Sequence, residues 1–169
     1  MRKDHPLKMD HWYFGALDAT RERRMVIWEK EFNLDGQRVP ANLLSDFLTK
    51  LDTARLNALA FRMSDLPRLD SRARQHMVES FQGDDEDFIT DHTDDLELFP
   101  RRAGIAPDGR ISPEAFARAM LLTEIAIILD DTGAMMIFSY SIDPEHSDQV
   151  MDVCFNEHGD HKETVWNLA

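Results

Sequence analysis

Four stretches near the end of the chain decide its fold: EIAIIL (124–129), AMMIFSYSI (134–142), QVMDVCF (149–155) and HKETVWNL (161–168). They are separated by the polar connections DDTG (130–133), DPEHSD (143–148) and EHGD (157–160). Asp, Gly and Pro are typical of tight reversals, because such turns need left-handed or fixed φ values and local side-chain caps. The sequence therefore predicts four consecutive antiparallel strands.

Two stretches near the N-terminus also favour strands. Residues 11–17 are rich in aromatic side chains, and residues 25–34 alternate between apolar and polar positions before the turn dipeptide Asp35-Gly36. Alternation with a period of two is typical of a strand with one face in water. Lys30 interrupts the apolar series, which suggests a position near a sheet edge. Residues 1–10 are polar, and we expect them to be loosely held.

Helical spacing of apolar residues dominates the middle of the chain, after Pro40 ends the extended region. Capping residues and proline positions then set the expected boundaries. We predict a helix over Leu43–Met63 with Asn42 as N-cap and Leu66-Pro67 as its stop, a second from Asp70 or Ser71 to Gly83, and a last one from Ser112-Pro113 to about Thr123.

The segment 84–97 carries eight acids and neither Lys nor Arg. Phe88, Ile89, His92 and Leu96 keep helical spacing within it, so the segment is predicted to be a short amphipathic helix with an acidic outer face. Acids in its first turn suit the positive end of the helix dipole. We predict that seven of these acids bind a partner: Asp84, Asp85, Glu86, Asp87, Asp91, Asp94 and Asp95.

The arrangement of these elements predicts a single α+β domain over residues 11–169. A pair of N-terminal strands cannot form a stable sheet alone, so we expect it to join the C-terminal meander. About four helices lie between the two groups of strands and are expected to cover one face of the resulting antiparallel sheet.

The charge balance is strongly acidic, with 19 basic and 32 acidic side chains and a net charge of −13. That balance argues against nucleic acid and anionic lipid as partners, since both attract cations. It leaves two interpretations, which are solubility alone and attraction to a basic protein partner.

The single cysteine, Cys154, rules out a disulfide within the chain, which suits a reducing compartment. Its apolar surroundings predict a packed side chain rather than a nucleophile. We find neither a signal-peptide pattern nor an apolar window long enough for a membrane helix, so we expect a soluble, cytoplasmic protein.

Histidines are the residues that could support an enzymatic alternative. His158 and His161 flank a predicted turn, His146 could join them only if two turns met, and His92 lies on the acidic helix. Zinc needs three or four ligands in fixed geometry, which this pattern does not predict. The sequence also lacks a phosphate-binding loop, a nucleophile elbow and a zinc-protease helix. We therefore predict no catalytic residue, metal or cofactor.

The meander resembles a family of uncharacterised bacterial proteins, catalogued as domain of unknown function two thousand and four. The resemblance lies in IFSYSID (137–143), Asp148 and VCFNEHG (153–159), with Asn156 and Ser147 where the family has Asp and Thr. Tyr13-Phe14-Gly15 also fits the pattern of this family. The resemblance implies the fold and no catalytic residue. Members of this kind are associated by gene neighbourhood with immunity against secreted toxins.

These features together predict a non-enzymatic protein-binding module with an acidic surface, in the specific form of an immunity protein that neutralises a bacterial toxin. One alternative is a metal-dependent hydrolase that uses the histidines. Another is a homodimer that pairs through an exposed edge or face of its sheet.

Overall fold

The computed structural model describes residues 6–20, 25–46, 48–83, 85–91, 111–145 and 147–168. Its strands are β1 (Lys8–His11), β2 (Gly15–Asp18), β3 (Met25–Leu34), β4 (Gln37–Ser45), β5 (Leu121–Leu129), β6 (Ala134–Ser141), β7 (Gln149–Asn156) and β8 (His161–Leu168). Its helices are α1 (Thr53–Met63), α2 (Leu66–Phe81), α3 (Glu86–Asp91) and α4 (Pro113–Ala119).

The main sheet has six strands in the order β3-β4-β5-β6-β7-β8, and β1 and β2 form a separate hairpin. The predicted strand over residues 25–34 joins the C-terminal meander as β3, whereas residues 11–17 lie in the separate hairpin and the unpredicted strand β4 takes a place in the main sheet. The α+β class is confirmed. All neighbouring pairs in the main sheet are antiparallel except β4 and β5, which run parallel. Strands β4 and β5 can run parallel because the helices lie between them in the chain. The helices carry the chain back to the end of the sheet at which β4 began.

The four predicted strands of the meander are present, although β5 begins at Leu121 rather than at Glu124, and polar side chains close their turns. The Oδ1 atom of Asp130 accepts hydrogen bonds from the backbone N–H of Thr132 at 2.6 Å and of Gly133 at 3.0 Å. Asn156 Oδ1 accepts from the N–H groups of His158 and Asp160, at 3.0 and 2.8 Å. The turn residues thus satisfy backbone donors that the strands leave unpaired.

The helix predicted from Leu43, with Asn42 as its N-cap, is wrong, because residues 37–45 form β4 and helix α1 begins only at Thr53. Asp52 caps α1, since its carboxylate accepts from the N–H groups of Ala54 and Arg55. Pro40 lies inside the strand rather than at its end. It pairs with Glu31 of the edge strand β3, and the ladder to β5 starts one residue later, so the missing N–H of Pro40 is tolerated.

The N-terminal prediction is also wrong, because residues 11–17 form no single strand. They contain the turn of the β1–β2 hairpin, and strand β1 already begins within the stretch that we expected to be loosely held. Pro6 and Leu7 accept backbone hydrogen bonds from Leu51 and Ala19, at 2.9 and 2.8 Å. The turn leaves the ring of Trp12 72% exposed, whereas Phe14 is buried.

Helix boundaries differ from the predicted ones where proline and apolar runs were ambiguous. Pro67 lies in the first turn of α2, which starts at Leu66 rather than at Asp70 or Ser71. A proline there loses no intrahelical hydrogen bond, so it opens this helix rather than closing the previous one. Helix α4 has the predicted Ser112 cap but ends at Ala119, before the apolar run becomes strand β5.

The core lies between the sheet and the helices, as a two-layer domain requires. Tyr140, Phe138 and Phe155 of the sheet are fully buried there, as are Met77 of α2 and Phe116 of α4. In the described ranges, no helix is long and apolar enough to cross a membrane.

Candidate protein-interaction surface

The two faces of the six-stranded sheet differ in what covers them. On one face, cross-strand neighbours such as Ile125, Phe138 and Val153 are fully buried in the core beneath the helices. Helix α2 contacts β7 and β8 from this side, and the Asp70 carboxylate accepts a hydrogen bond from the Tyr140 hydroxyl at 2.8 Å. Because successive residues of a strand point to opposite faces, the intervening residues lie on the other side of the sheet.

We call that other side the open face. Among the described residues, no helix packs on it, and its aliphatic side chains are mostly only half-buried. Its apolar residues form a central band, and acidic residues lie beside the band. The band consists of Val26, Leu44, Ala126, Ile128, Met135, Ile137 and Cys154, and the acids are Glu29, Glu31, Glu124, Asp152 and Glu163, with Arg38 beside Glu31.

The apolar band is continuous across the middle of the sheet. Leu44 pairs with Ile128, which pairs in turn with Met135. In the adjacent row, Ile137 pairs with Ala126 on one side and Cys154 on the other. With about 4.8 Å between neighbouring strands, the band spans roughly 14 Å from β4 to β7. An apolar surface of this kind is typical of an interaction site.

Neighbouring polar groups hold two of the acids in position. The Asn42 amide donates to Glu124 at 3.1 Å. Asp152 accepts from the Ser139 hydroxyl at 2.6 Å and from the Asn167 amide at 2.8 Å. The carboxylates are thus oriented on the sheet rather than free on long, mobile side chains, and they give the open face a negative border.

Cys154 lies on β7, at one end of the apolar band, and its thiol is unreactive. Its side chain is only 4% exposed, as the sequence predicts for a packed residue. Burial, with smaller contributions from the nearby Glu163 and Asp152 carboxylates, raises the pKa of the thiol to about 11. Since the thiolate is the nucleophile, Cys154 is unsuited to nucleophilic catalysis at neutral pH.

The predicted acidic patch lies only partly within the described residues. Helix α3 is amphipathic as predicted, because Phe88 is buried against Trp166 with ring centroids 4.9 Å apart, while Asp87 is exposed. Asp85 is half-buried and accepts a hydrogen bond from the Ser80 hydroxyl, so it is tied to the end of α2. Of the remaining acids, the backbone alone is described for Glu86 and Asp91, and Asp84, Asp94 and Asp95 lie outside the described residues.

Two of the four histidines considered for the enzymatic alternative, His158 and His161, lie in the described part of the chain. His161 stacks on His76 of α2, with centroids 3.8 Å apart, whereas His158 is exposed in its turn. His92 and His146 lie outside the described residues. Within the part of the chain that is described, no group of three His, Cys, Asp or Glu side chains is placed to hold a metal ion.

The sequence predicted helices over one face of the sheet but did not identify the residues of the open face, although a signal for them exists. Over residues 125–129 of β5 and 134–138 of β6 the residues on both faces are apolar, as Ile127 and Ile128 or Met135 and Met136 illustrate. Strands that read as continuous apolar runs are typical of sheets that are covered on both faces. Among the described residues the helices cover one face only, so the apolar residues of the other face lie without such a cover.

The chain matches no protein-family model, no curated protein and no solved structure with which it was compared. The resemblance to the uncharacterised bacterial family therefore stays a prediction, and the candidate surface is defined by geometry alone.

Proposed function

We propose that this protein is a non-enzymatic binding module that holds a protein partner against its open face. The observation that carries this proposal is the apolar character of β5 and β6 on both sides, when helices cover only one side among the described residues. Leaving such a band in water forgoes about 25 cal/mol for each Å² of apolar surface that could be buried. A docked partner recovers that free energy.

The border of the open face specifies the chemistry of the partner. Glu29, Glu124, Asp152 and Glu163 present carboxylates beside the apolar band. A partner with an apolar centre and Lys or Arg residues around it would complement this pattern. A second copy of the chain would bring the same carboxylates to the interface, so a foreign basic protein is favoured over a homodimer.

The acidic segment, residues 84–97, would attract the partner before the two proteins touch. Charges such as that of Asp87 attract a basic protein over distances of about a Debye length, which is ~8 Å at physiological salt. The seven acids predicted from the sequence would then raise the association rate, while the open face holds the complex. Neutralisation of a bacterial toxin is the specific form of this function that we propose, and the family resemblance supports it.

Affinity capture from a lysate of the native host tests this function. Wild-type protein should retain a basic protein at low salt and release part of it at high salt. The Ile137→Glu variant should lose that protein, because it places a charge in the middle of the apolar band. Trp12→Glu is the matched control, since it places the same charge on an exposed aromatic residue outside the open face.

Retention of the same protein by Ile137→Glu would contradict the proposed surface. Light scattering over a range of concentrations distinguishes a homodimer from a monomer that binds a foreign protein. A dimer that Ile137→Glu converts to a monomer would assign the open face to self-association instead.

A further inference from the structure

A cationic cleft lies on the helix side of this acidic molecule, where α1 turns into α2. Its volume is about 180 Å³. Three arginines line it, together with an exposed aromatic ring and a single carboxylate. The lining residues are Phe61, Arg62, Ser64, Asp65, Arg68, Leu69 and Arg72.

The three guanidinium groups are available for a ligand. In the described ranges, no carboxylate forms an ion pair with Arg62, Arg68 or Arg72. Arg62 Nε is buried and has no hydrogen-bond partner there.

Neighbouring rings and backbone hold two of the arginines in place. The guanidinium carbon of Arg62 lies 5.4 Å from the centroid of the Phe61 ring, and that of Arg72 lies 5.5 Å from the centroid of Phe155. Arg62 also packs against Gly159 of the β7–β8 turn, where an added Cβ atom would lie 3.1 Å from Nε. The arginines are thus pre-arranged by packing, which lowers the entropic cost of binding an anion.

The size and charge of the cleft define the ligand class. Three arginines and Asp65 give it a formal charge of +2, which matches a phosphate dianion better than a single carboxylate. Pockets for whole drug-sized ligands have volumes of about 300–1,000 Å³, so this cleft suits one phosphate group with a small attached group. Phe61, which is 68% exposed at the cleft, offers a surface for that group. The first turn of α2 adds the positive end of a helix dipole.

We propose that this cleft is a binding site for the phosphate group of a small molecule, held by Arg62, Arg68 and Arg72. The site is separate from the open face and does not depend on the proposed protein partner. A net charge of −13 repels anions from the molecule as a whole, so binding here requires the local cluster of arginines.

Titration of the ¹⁵N-labelled protein with phenyl phosphate or inorganic phosphate tests this site. The arginine side-chain N–H resonances report on each guanidinium group directly. We expect saturable shifts for Arg62, Arg68 and Arg72, and a comparison of the two probes distinguishes an organic phosphate from the free ion as the ligand. Arg68→Gln and Arg72→Gln should each weaken binding about tenfold, as expected for the loss of one charge-assisted hydrogen bond.

Arg38→Gln is the matched control, because Arg38 is exposed at the edge of the sheet and lies 3.7 Å from Glu31. It should leave phosphate binding unchanged. Arg68 is itself exposed, so Arg68→Gln keeps the fold even if Arg72→Gln does not. Three results would overturn the proposal: the absence of saturable shifts at millimolar phosphate, equal binding by wild type and Arg68→Gln, or tighter binding of benzoate than of phenyl phosphate.

Discussion

At the scale of single residues, one buried network connects the sheet to two helices. Asp70 accepts from the Tyr140 hydroxyl at 2.8 Å and from Arg74 Nε at 2.9 Å. Arg74 also donates to the carbonyl oxygens of Ala117 at 2.6 Å and Met120 at 2.9 Å, at the end of α4. Burial raises the pKa of Tyr140 well above its ordinary value, and the Asp70 carboxylate raises it further, so the hydroxyl remains a donor.

Loss of the Arg74 side chain should therefore destabilise the folded state. We expect Arg74→Ala to lower the free energy of unfolding by about 3 kcal/mol, because it leaves a buried carboxylate without its cation and α4 without a cap. Tyr140→Phe should cost about 1–2 kcal/mol, since it removes one hydrogen bond and keeps the ion pair. Urea denaturation measures both changes. Arg38→Ala, in which only an exposed ion pair is lost, should change the free energy by less than about 1 kcal/mol.

His161 makes stability depend on pH. Burial lowers the pKa of this imidazole, and the adjacent His76 ring lowers it further. Below its ordinary value of about 6.5, the unfolded state then binds a proton more readily than the folded state. The stabilisation that His161 provides is complete above that pH and is lost as the pH falls through its lower folded pKa.

The matching experiment compares thermal unfolding of wild type and His161→Phe between pH 7.5 and 5.5. We expect the melting temperature of wild type to fall more steeply on acidification, because phenylalanine keeps the stacked ring but cannot take up a proton. Parallel pH profiles for the two proteins would show that His161 does not contribute.

At the scale of elements, the sequence predicted strands correctly where the alternation of apolar and polar residues agreed with the positions of turn residues. The meander from β5 to β8 follows from period-two apolar patterns and Asp- or Gly-rich turns, and both features are local. Strand β4 could not be predicted in this way. Leu43, Leu44 and the leucines that follow also fit helical spacing, and only pairing with β3 and β5 decides between the two structures.

The residues of the open face and of the arginine cleft could not be assigned from the sequence, because contacts between distant parts of the chain bring them together. The open face depends on the register between β4 and β5, whose residues are 84 positions apart where Ala41 meets Ile125. The cleft combines α1, α2 and the β7–β8 turn, so no sequence spacing links Arg62 to Gly159. The acidic helix was visible in the sequence because all of its charges lie in one segment.

Substitution by alanine should destabilise the protein to different extents at two adjacent leucines of β4. Leu43 faces the core and is fully buried, whereas Leu44 lies half-buried on the open face. We expect Leu43→Ala to lower the free energy of unfolding by about 2–5 kcal/mol, because it leaves a cavity. Leu44→Ala should cost about 1 kcal/mol or less, since the site loses little buried area. Equal losses in urea denaturation would contradict the assignment of the two faces.

At the scale of the whole molecule, charge and apolar surface have separate roles. The net charge of −13 should govern how fast a basic partner arrives, and the apolar band should govern how long it stays. Charge reversal of Asp84, Asp87, Asp91 and Asp94 should therefore slow association and reduce its dependence on salt. Dissociation should change little. Unchanged association kinetics in surface plasmon resonance with the captured partner would contradict steering by this segment.

The central claim is that a partner covers the open face, and protection of Met135 from oxidation by hydrogen peroxide tests it most directly. Met135 is half-buried on that face, and Met9, also half-buried, lies in the β1–β2 hairpin away from it. A saturating amount of the captured partner should slow oxidation of Met135 about tenfold or more and leave Met9 unchanged, as mass spectrometry of the digested protein would show. Oxidation of Met135 at the same rate with and without the bound partner would contradict the account.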